Sequence, residues 1–256
     1  SKAIHESWNT CMLKTFAENP ETYYKETPQL KIIDNNLKIA MFNRILNTKM
    51  GSEELDPKIT EITKHFDSRN LPFTWQVDPW DKPGDLGDKL EKAGFERDET
   101  PGMAVKIDAL REPNIPDGYT WKRVKTMDEL SEWSYLCARA YGMPEFGWDT
   151  LANACINMGV VDDYHCYTGY YKGVPTSTSS ILYSDGVAGL YCVANLPEYR
   201  GMGFGSVISY APFLDAGELG YEMGILHSSD MGYNVYERLG FEEVCRLVRY
   251  QWNPSK

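Results

Sequence analysis

The sequence predicts an α+β fold built twice over, and three observations predict it. Runs of strand length and composition alternate with stretches of helical periodicity along all 256 residues. Both halves carry the same order: strand, helix, strand, helix, strand. One segment of the first half, Leu90-Glu91-Lys92-Ala93-Gly94-Phe95-Glu96, parallels Tyr236-Glu237-Arg238-Leu239-Gly240-Phe241-Glu242 in the second. Each closes a helix on glycine and sends phenylalanine into the next strand.

In chain order, Trp8, Met12 and Phe16 recur at i, i+4 and predict a first helix, ended at Glu18-Asn19-Pro20-Glu21 because proline cannot continue the ladder. Extended segments follow at 30–34 and 37–46 around the turn pair Asn35-Asn36. Pro57 reads as the start of a helix to Arg69, with Ile59, Ile62, Thr63 and Phe66 on one face. Residues 73–77 alternate as a strand. Leu86, Leu90 and Ala93 mark a short helix capped by Gly94, and Pro101-Gly102 turns into a strand at 103–107. The turn-rich stretch 109–118 reads as a linker between an N-terminal domain, 1–108, and a second domain, 119–256.

The second domain opens with a strand at 119–124, then a helix with Leu130, Trp133, Leu136, Cys137 and Ala140 inward, begun by a cap-like run at Thr126. Another helix covers 148–157. Strands follow at 164–171 and 175–182 around Lys172-Gly173, and Asp185-Gly186 turns the chain into a strand at 187–194. A long helix comes next, which Pro212 should kink or shorten, then a strand at 221–227, a helix at 232–239 and two closing strands at 241–244 and 246–252.

The chemistry concentrates where the strand at 187–194 meets the long helix: Asn195-Leu196-Pro197-Glu198-Tyr199-Arg200-Gly201-Met202-Gly203-Phe204-Gly205-Ser206. Glycines let backbone approach a ligand closely, and the first amides of a helix are unpaired and partly positive. Together they make a cradle for a phosphate or diphosphate. The alternating glycines fit G-x-G-x-x-G poorly, and no Lys-Ser or Lys-Thr follows as a P-loop requires.

Arg200, Gly203 and Gly205 instead spell Arg-x-x-Gly-x-Gly, and the stretch 196–205 resembles the coenzyme A loop of the GNAT superfamily of N-acetyltransferases. The stretch 232–241, Gly-Tyr-Asn-Val-Tyr-Glu-Arg-Leu-Gly-Phe, resembles that family's second signature. The likeness spans about 118–252. It implies, for each domain, a central mixed, mostly antiparallel sheet flanked by helices. It implies acetyl transfer from acetyl-CoA to a primary amine of a small molecule or peptide by direct attack on the thioester, with no metal. The diphosphate would rest on Gly201, Met202, Gly203, Phe204, Gly205 and Ser206 with Arg200, and the pantetheine and acyl oxygen on the main chain of Val193, Ala194 and Asn195. Removing one such oxyanion donor costs roughly 3–4 kcal/mol. Tyr236 falls where the family keeps a tyrosine near the coenzyme sulfur, as general acid. Ser229 and Asn234 flank it as cofactor contacts, Ser229 standing where the family often has Asn. His227 is the nearest sequence candidate for the base, with deprotonation through water the alternative and His165 more distant. The first domain has no Arg-x-x-Gly-x-Gly loop and has Leu90 at the position of Tyr236. It resembles the degenerate module of tandem members, a scaffold that does not bind coenzyme A.

A net charge of −11 argues against nucleic acid as the partner, since that needs a basic footprint. No apolar run approaches the ~18 residues of a membrane span, and the first residues lack the apolar region of a signal peptide. Six cysteines without C-x-x-C spacing predict reduced, partly buried thiols in a cytoplasmic protein, a monomer or homodimer. The reading from a different class is a non-catalytic acyl-CoA-binding or regulatory module, motivated by the absence of an acid or His on the strand before the loop and by the kink expected at Pro212.

Overall fold

The computed structural model describes residues 1–17 and 19–254; Glu18, in the expected ending of the first helix, lies outside them. The chain forms seven α-helices and eleven strands among these residues and is α+β, as its alternating periodicities predict. No helix is long and apolar enough to cross a membrane among the described residues.

Two compact units emerge. One contains residues 1–11 and 101–245, the other 12–100 and 246–256. The linear division at 109–118 and the compact units therefore differ: the first eleven residues and 101–108 belong with the second half, and the last eleven with the first.

The larger unit holds β6 (Tyr119–Arg123), α4 (Met127–Ala140), α5 (Trp148–Met158), β7 (Tyr164–Tyr171), β8 (Val174–Ser184), β9 (Val187–Asn195), α6 (Phe204–Glu218), β10 (Met223–His227) and α7 (Asp230–Leu239). It also takes the start of α1 (Lys2–Phe16), the end of β5 (Glu96–Lys106) and the start of β11 (Glu242–Trp252). Its strands run β5-β10-β9-β8-β7-β6, all antiparallel except β9 with β10. Thr126 caps α4 by accepting the Glu129 amide at 3.2 Å. The hairpin turns have Lys172, Gly173, Asp185 and Gly186 at positive φ, the backbone that a two-residue turn between twisted strands needs. Ile181, Leu190, Ile208, Phe213, Leu226, Tyr236 and Phe241 fill the core.

The smaller unit holds β1 (Tyr23–Glu26), β2 (Lys31–Asp34), β3 (Asn43–Leu46), α2 (Ser52–Asp67), β4 (Phe73–Val77) and α3 (Leu86–Lys92). Its strand order is β11-β4-β3-β2-β1, and β3 with β4 is again the parallel pair. The order β3-α2-β4-α3-β5 thus matches β9-α6-β10-α7-β11. The repeat seen in the sequence is one backbone motif: Phe95 and Phe241 donate to Leu90 and Tyr236 carbonyls, both at 3.0 Å, across Gly94 and Gly240 at φ 96° and 101°. In each unit the strand paired antiparallel to the second of the parallel strands comes from the other half of the chain.

Some expectations need correcting. β5 is one strand through Pro101-Gly102, not a turn and a short strand. The Pro101 carbonyl accepts the Ser228 amide at 2.9 Å, so the strand stays bonded to the chain after β10 through the proline. β11 is likewise continuous. α2 starts five residues before Pro57, because Glu54 closes its first turn onto the Gly51 amide at 2.8 Å. Pro212 does not shorten α6, which runs six residues beyond it and buries Phe213 and Ala216. The extended stretch 37–46 is broken by a 3-10 turn at Ala40–Phe42.

Candidate active site

β9 and β10 pair in parallel at Ala188, Gly189 and Leu190, and among the described residues the ladder stops there. Beyond it β9 remains tied only to β8. Ser180 faces Tyr191 and Thr178 faces Ala194, so the single Ser179 opposes both Cys192 and Val193. This is a β-bulge, and Cys192 takes φ +52° to make it. The Cys192 carbonyl accepts the Thr178 hydroxyl at 2.9 Å. Bulge and parted ladder leave the main chain of Val193, Ala194 and Asn195 half-buried at an open sheet end.

The loop after β9 builds the cradle. Gly201 and Gly203 have φ of 78° and 84°, costly for any residue with a Cβ. Gly203 is also the cap position of α6, with no side chain supplying an acceptor, and the first turn of α6 carries no acid. Among the described residues no acceptor meets the amides at 201–205. The Asn195 Oδ1 is buried without a hydrogen-bond partner beside them, and its amide nitrogen lies 3.1 Å from where a Cβ on Gly205 would stand. Unpaired amides, a bare helix start and an orphaned acceptor fit a diphosphate followed by a chain bearing N–H groups.

Arg200, expected on the diphosphate, makes two hydrogen bonds within the protein. Its guanidinium donates to the Ala140 carbonyl at 3.0 Å and to the Asn195 carbonyl at 3.3 Å. These bonds tie the loop to the end of α4. Met202, Phe204 and Ser206 complete the segment, with Phe204 buried against Tyr119 and Tyr171. Ser229 caps α7, its hydroxyl accepting the Gly232 amide at 3.3 Å, and Asn234 is exposed on the same helix.

Tyr236 is buried on α7, and a Cβ on Gly232 would come within 2.8 Å of its ring. Burial pushes its phenol up to about 12, opposed by a hydrogen bond with Ser209. His227 ends β10 with its ring 4.8 Å from Trp8 and 6.0 Å from Tyr191. His165 lies elsewhere, in a cavity of about 250 Å³ with Arg123 and Lys125. Burial, and then Arg123, lower its pKa.

Three side chains escaped the sequence reading. Thr178 belongs to a run of five fully buried hydroxyl residues, 176–180, on β8. Cys192 receives hydrogen bonds from Cys137, Ser180 and Tyr164 that hold its thiol below the usual range against burial. Ser209 interrupts the apolar face of α6. The available signals were Thr-Ser-Thr-Ser-Ser in a strand and one serine among valine, isoleucine and alanine in a helix.

No family model matches the sequence, and no curated protein is significantly similar to it. Solved structures do match. A GCN5-related N-acetyltransferase from Kribbella flavida superposes with a TM-score of 0.69 over 99% of this chain and 95% of its own, at 19% identity. A tandem GNAT protein from the clavulanic acid biosynthesis pathway gives 0.62 over 97% and 88%, at 14% identity. The chain has the fold of the GNAT superfamily. A functionally unknown conserved protein from Staphylococcus epidermidis also shares it, with a TM-score of 0.67 over 90% and 93%, at 16% identity.

Proposed function

We propose that this chain is a coenzyme A-dependent N-acyltransferase, moving an acetyl group from acetyl-CoA to a primary amine of a small molecule or peptide by direct attack. The observation that carries the reading is the set of amides at 201–205, which lack acceptors at the start of α6 beside a parallel pair that parts after Leu190. When bound, the coenzyme supplies an activated acyl group. The amides at 201–205 hold its diphosphate beside Ser206, Asn195 Oδ1 accepts from its pantetheine arm, and the main chain at 193–195 orients the carbonyl. Tyr236 keeps its proton at neutral pH, because its pKa lies near 12, and delivers it to the departing sulfur. His227 is the proposed base, with water as the alternative. Trp8 and Tyr191 pack around its ring.

We read the smaller unit as the degenerate module of a tandem arrangement. Its helix start is already occupied: Glu54 takes the Gly51 amide, and Glu53 adds a second acid in the first turn. The segment after β3 is stitched to Lys82, whose carbonyl takes the Met50 amide and whose amide gives to Thr48. The six cysteines are free thiols.

Calorimetry with acetyl-CoA tests the reading. One molecule bound per chain is expected; no binding at millimolar ligand defeats it, and two per chain defeat the degenerate module. In an amine screen with thiol detection, Tyr236→Phe should lower turnover on the order of 100-fold. Because β9 carries no acid or histidine, a non-catalytic acyl-CoA-binding role is the second reading. Binding without thiol release against a broad amine panel would favour it.

A further inference from the structure

The last pair of the parallel ladder is Leu190 with Leu226, so Tyr191 and His227 are the first residues past it, one on each strand of the fork. The partner of His227 in β5 is Gly102, which brings no side chain across to it. The outer torsion of a histidine is broad, so its own backbone does not aim its ring. Two aromatic rings stand beside it instead. Trp8 on α1 lies 4.8 Å away between ring centres, tilted at 57°, and Tyr191 lies 6.0 Å away, edge-on at 88°. Trp8 and Tyr191 are 5.9 Å from each other, so each ring neighbours the other two. The walls are themselves held. The Ser7 hydroxyl, at 0% exposure, shares a hydrogen bond of 2.8 Å with the Tyr191 hydroxyl. Gly189 lets α1 come this close to β9: a Cβ there would stand 2.7 Å from Ser7 Oγ and 2.9 Å from the Tyr191 ring. Trp8 and His227 remain half-buried, and all these residues lie in the larger unit.

We propose that Trp8 is a positioning residue for His227, fixing the imidazole with Tyr191 at the fork, so that the start of α1 is part of the acyl-transfer machinery. This deepens the reading of His227 as base and rests on it. The amine nitrogen forms the new bond to the acyl carbon, the carbon–sulfur bond breaks, and its electron pair leaves with sulfur. Tyr236 gives its proton to that sulfur, and the imidazole takes the proton that nitrogen sheds. His227 then returns one proton to solvent and Tyr236 recovers one, so amine and thioester become amide and thiol. Trp8 makes and breaks no bond. It keeps the ring from turning away from the nitrogen, where a misplacement of ~1 Å costs on the order of 100-fold.

The test is a double-mutant cycle with an NMR arm. Trp8→Leu should lower kcat about tenfold with KM for acetyl-CoA unchanged, and Trp8→Phe, which keeps an aromatic face, should recover most of that loss. In the His227→Ala background Trp8→Leu should cost nothing further, because the group it serves is gone. A merely structural tryptophan would cost the same in both backgrounds, and that result overturns the proposal. Ser7→Ala runs the same cycle through the Tyr191 wall and replaces Trp8→Leu if that variant does not fold. Its severalfold loss should likewise vanish in His227→Ala, and a loss that persists there overturns the proposal. Independently of turnover, the imidazole ring-proton signals of His227, identified by their loss in His227→Ala, should move in Trp8→Leu and, by less, in Ser7→Ala. Unmoved signals with wild-type turnover intact defeat this inference alone. If His227→Ala turns over as fast as wild type, water is the base and the inference falls while the proposed function stands. Absence of turnover in the wild type defeats the proposed function, and the role of Trp8 with it.

Discussion

At the scale of single residues, the lesson is in Arg200. As the cation of an Arg-x-x-Gly-x-Gly loop in an acidic protein, it read as a phosphate ligand. In the structure its donors go to two carbonyls, and under the proposed function the phosphates fall to the backbone amides. The two roles separate by salt. A direct charge contact with phosphate is screened as ionic strength rises. A guanidinium that holds a loop in place acts on geometry, which salt leaves alone. Arg200→Ala should therefore weaken acetyl-CoA binding about tenfold at both 20 and 500 mM salt on the order-of-magnitude scale of one charge-assisted hydrogen bond. A loss that shrinks severalfold at high salt would show the arginine on the phosphates instead.

At the scale of elements, the glycine-rich start of α6 and the helix carrying Tyr236 were legible because both are local, set by residues adjacent in the chain. The bulge at Cys192 was not, since it is a mismatch of register between β8 and β9 that neither strand encodes alone. α7 shows how tightly an element can be specified. Gly232 sits inside a helix, where alanine is favoured by about 1 kcal/mol. Yet a Cβ there would stand 2.8 Å from the Tyr236 ring. These effects oppose each other in stability and not in function. Gly232→Ala should leave the melting temperature within a few degrees of wild type while lowering kcat at least tenfold, because the ring must move away from the added methyl. Unchanged turnover would mean that the position of the phenol does not matter.

At the scale of the whole molecule, the doubled strand–helix order was legible from periodicity and one repeated heptapeptide. The exchange of segments was not. Nothing local to 248–252 says that these residues pair with β4, or that 1–11 belong with the second half. Pro101-Gly102 misled for the same reason, because it marks where β5 passes from one unit to the other rather than a turn. The smaller unit carries its own titration. Asp81 is buried beside Asp78, and burial lifts its carboxyl to about 7 from 3.8, with backbone donors only partly offsetting that. A carboxyl raised in the folded state contributes stability below its unfolded pKa and loses it as pH climbs through the folded value. Thermal stability should fall between pH 4 and 7 and then level off. Asp81→Asn, which keeps an acceptor for the Asp78 amide, should flatten that fall and melt a few degrees higher than wild type at pH 8. A steeper loss in the variant would contradict this account.

The central claim is that main-chain amides at the start of α6 grip a diphosphate. It is tested most directly by following the backbone amide signals of ¹⁵N-labelled protein as coenzyme A is added. The account predicts that the largest shifts fall on Gly201, Gly203, Gly205 and Ser206, while Gly51 and Ser52 at the start of α2 stay still. Shifts of equal size at both helix starts, or none at 201–206 under saturating coenzyme, would contradict it.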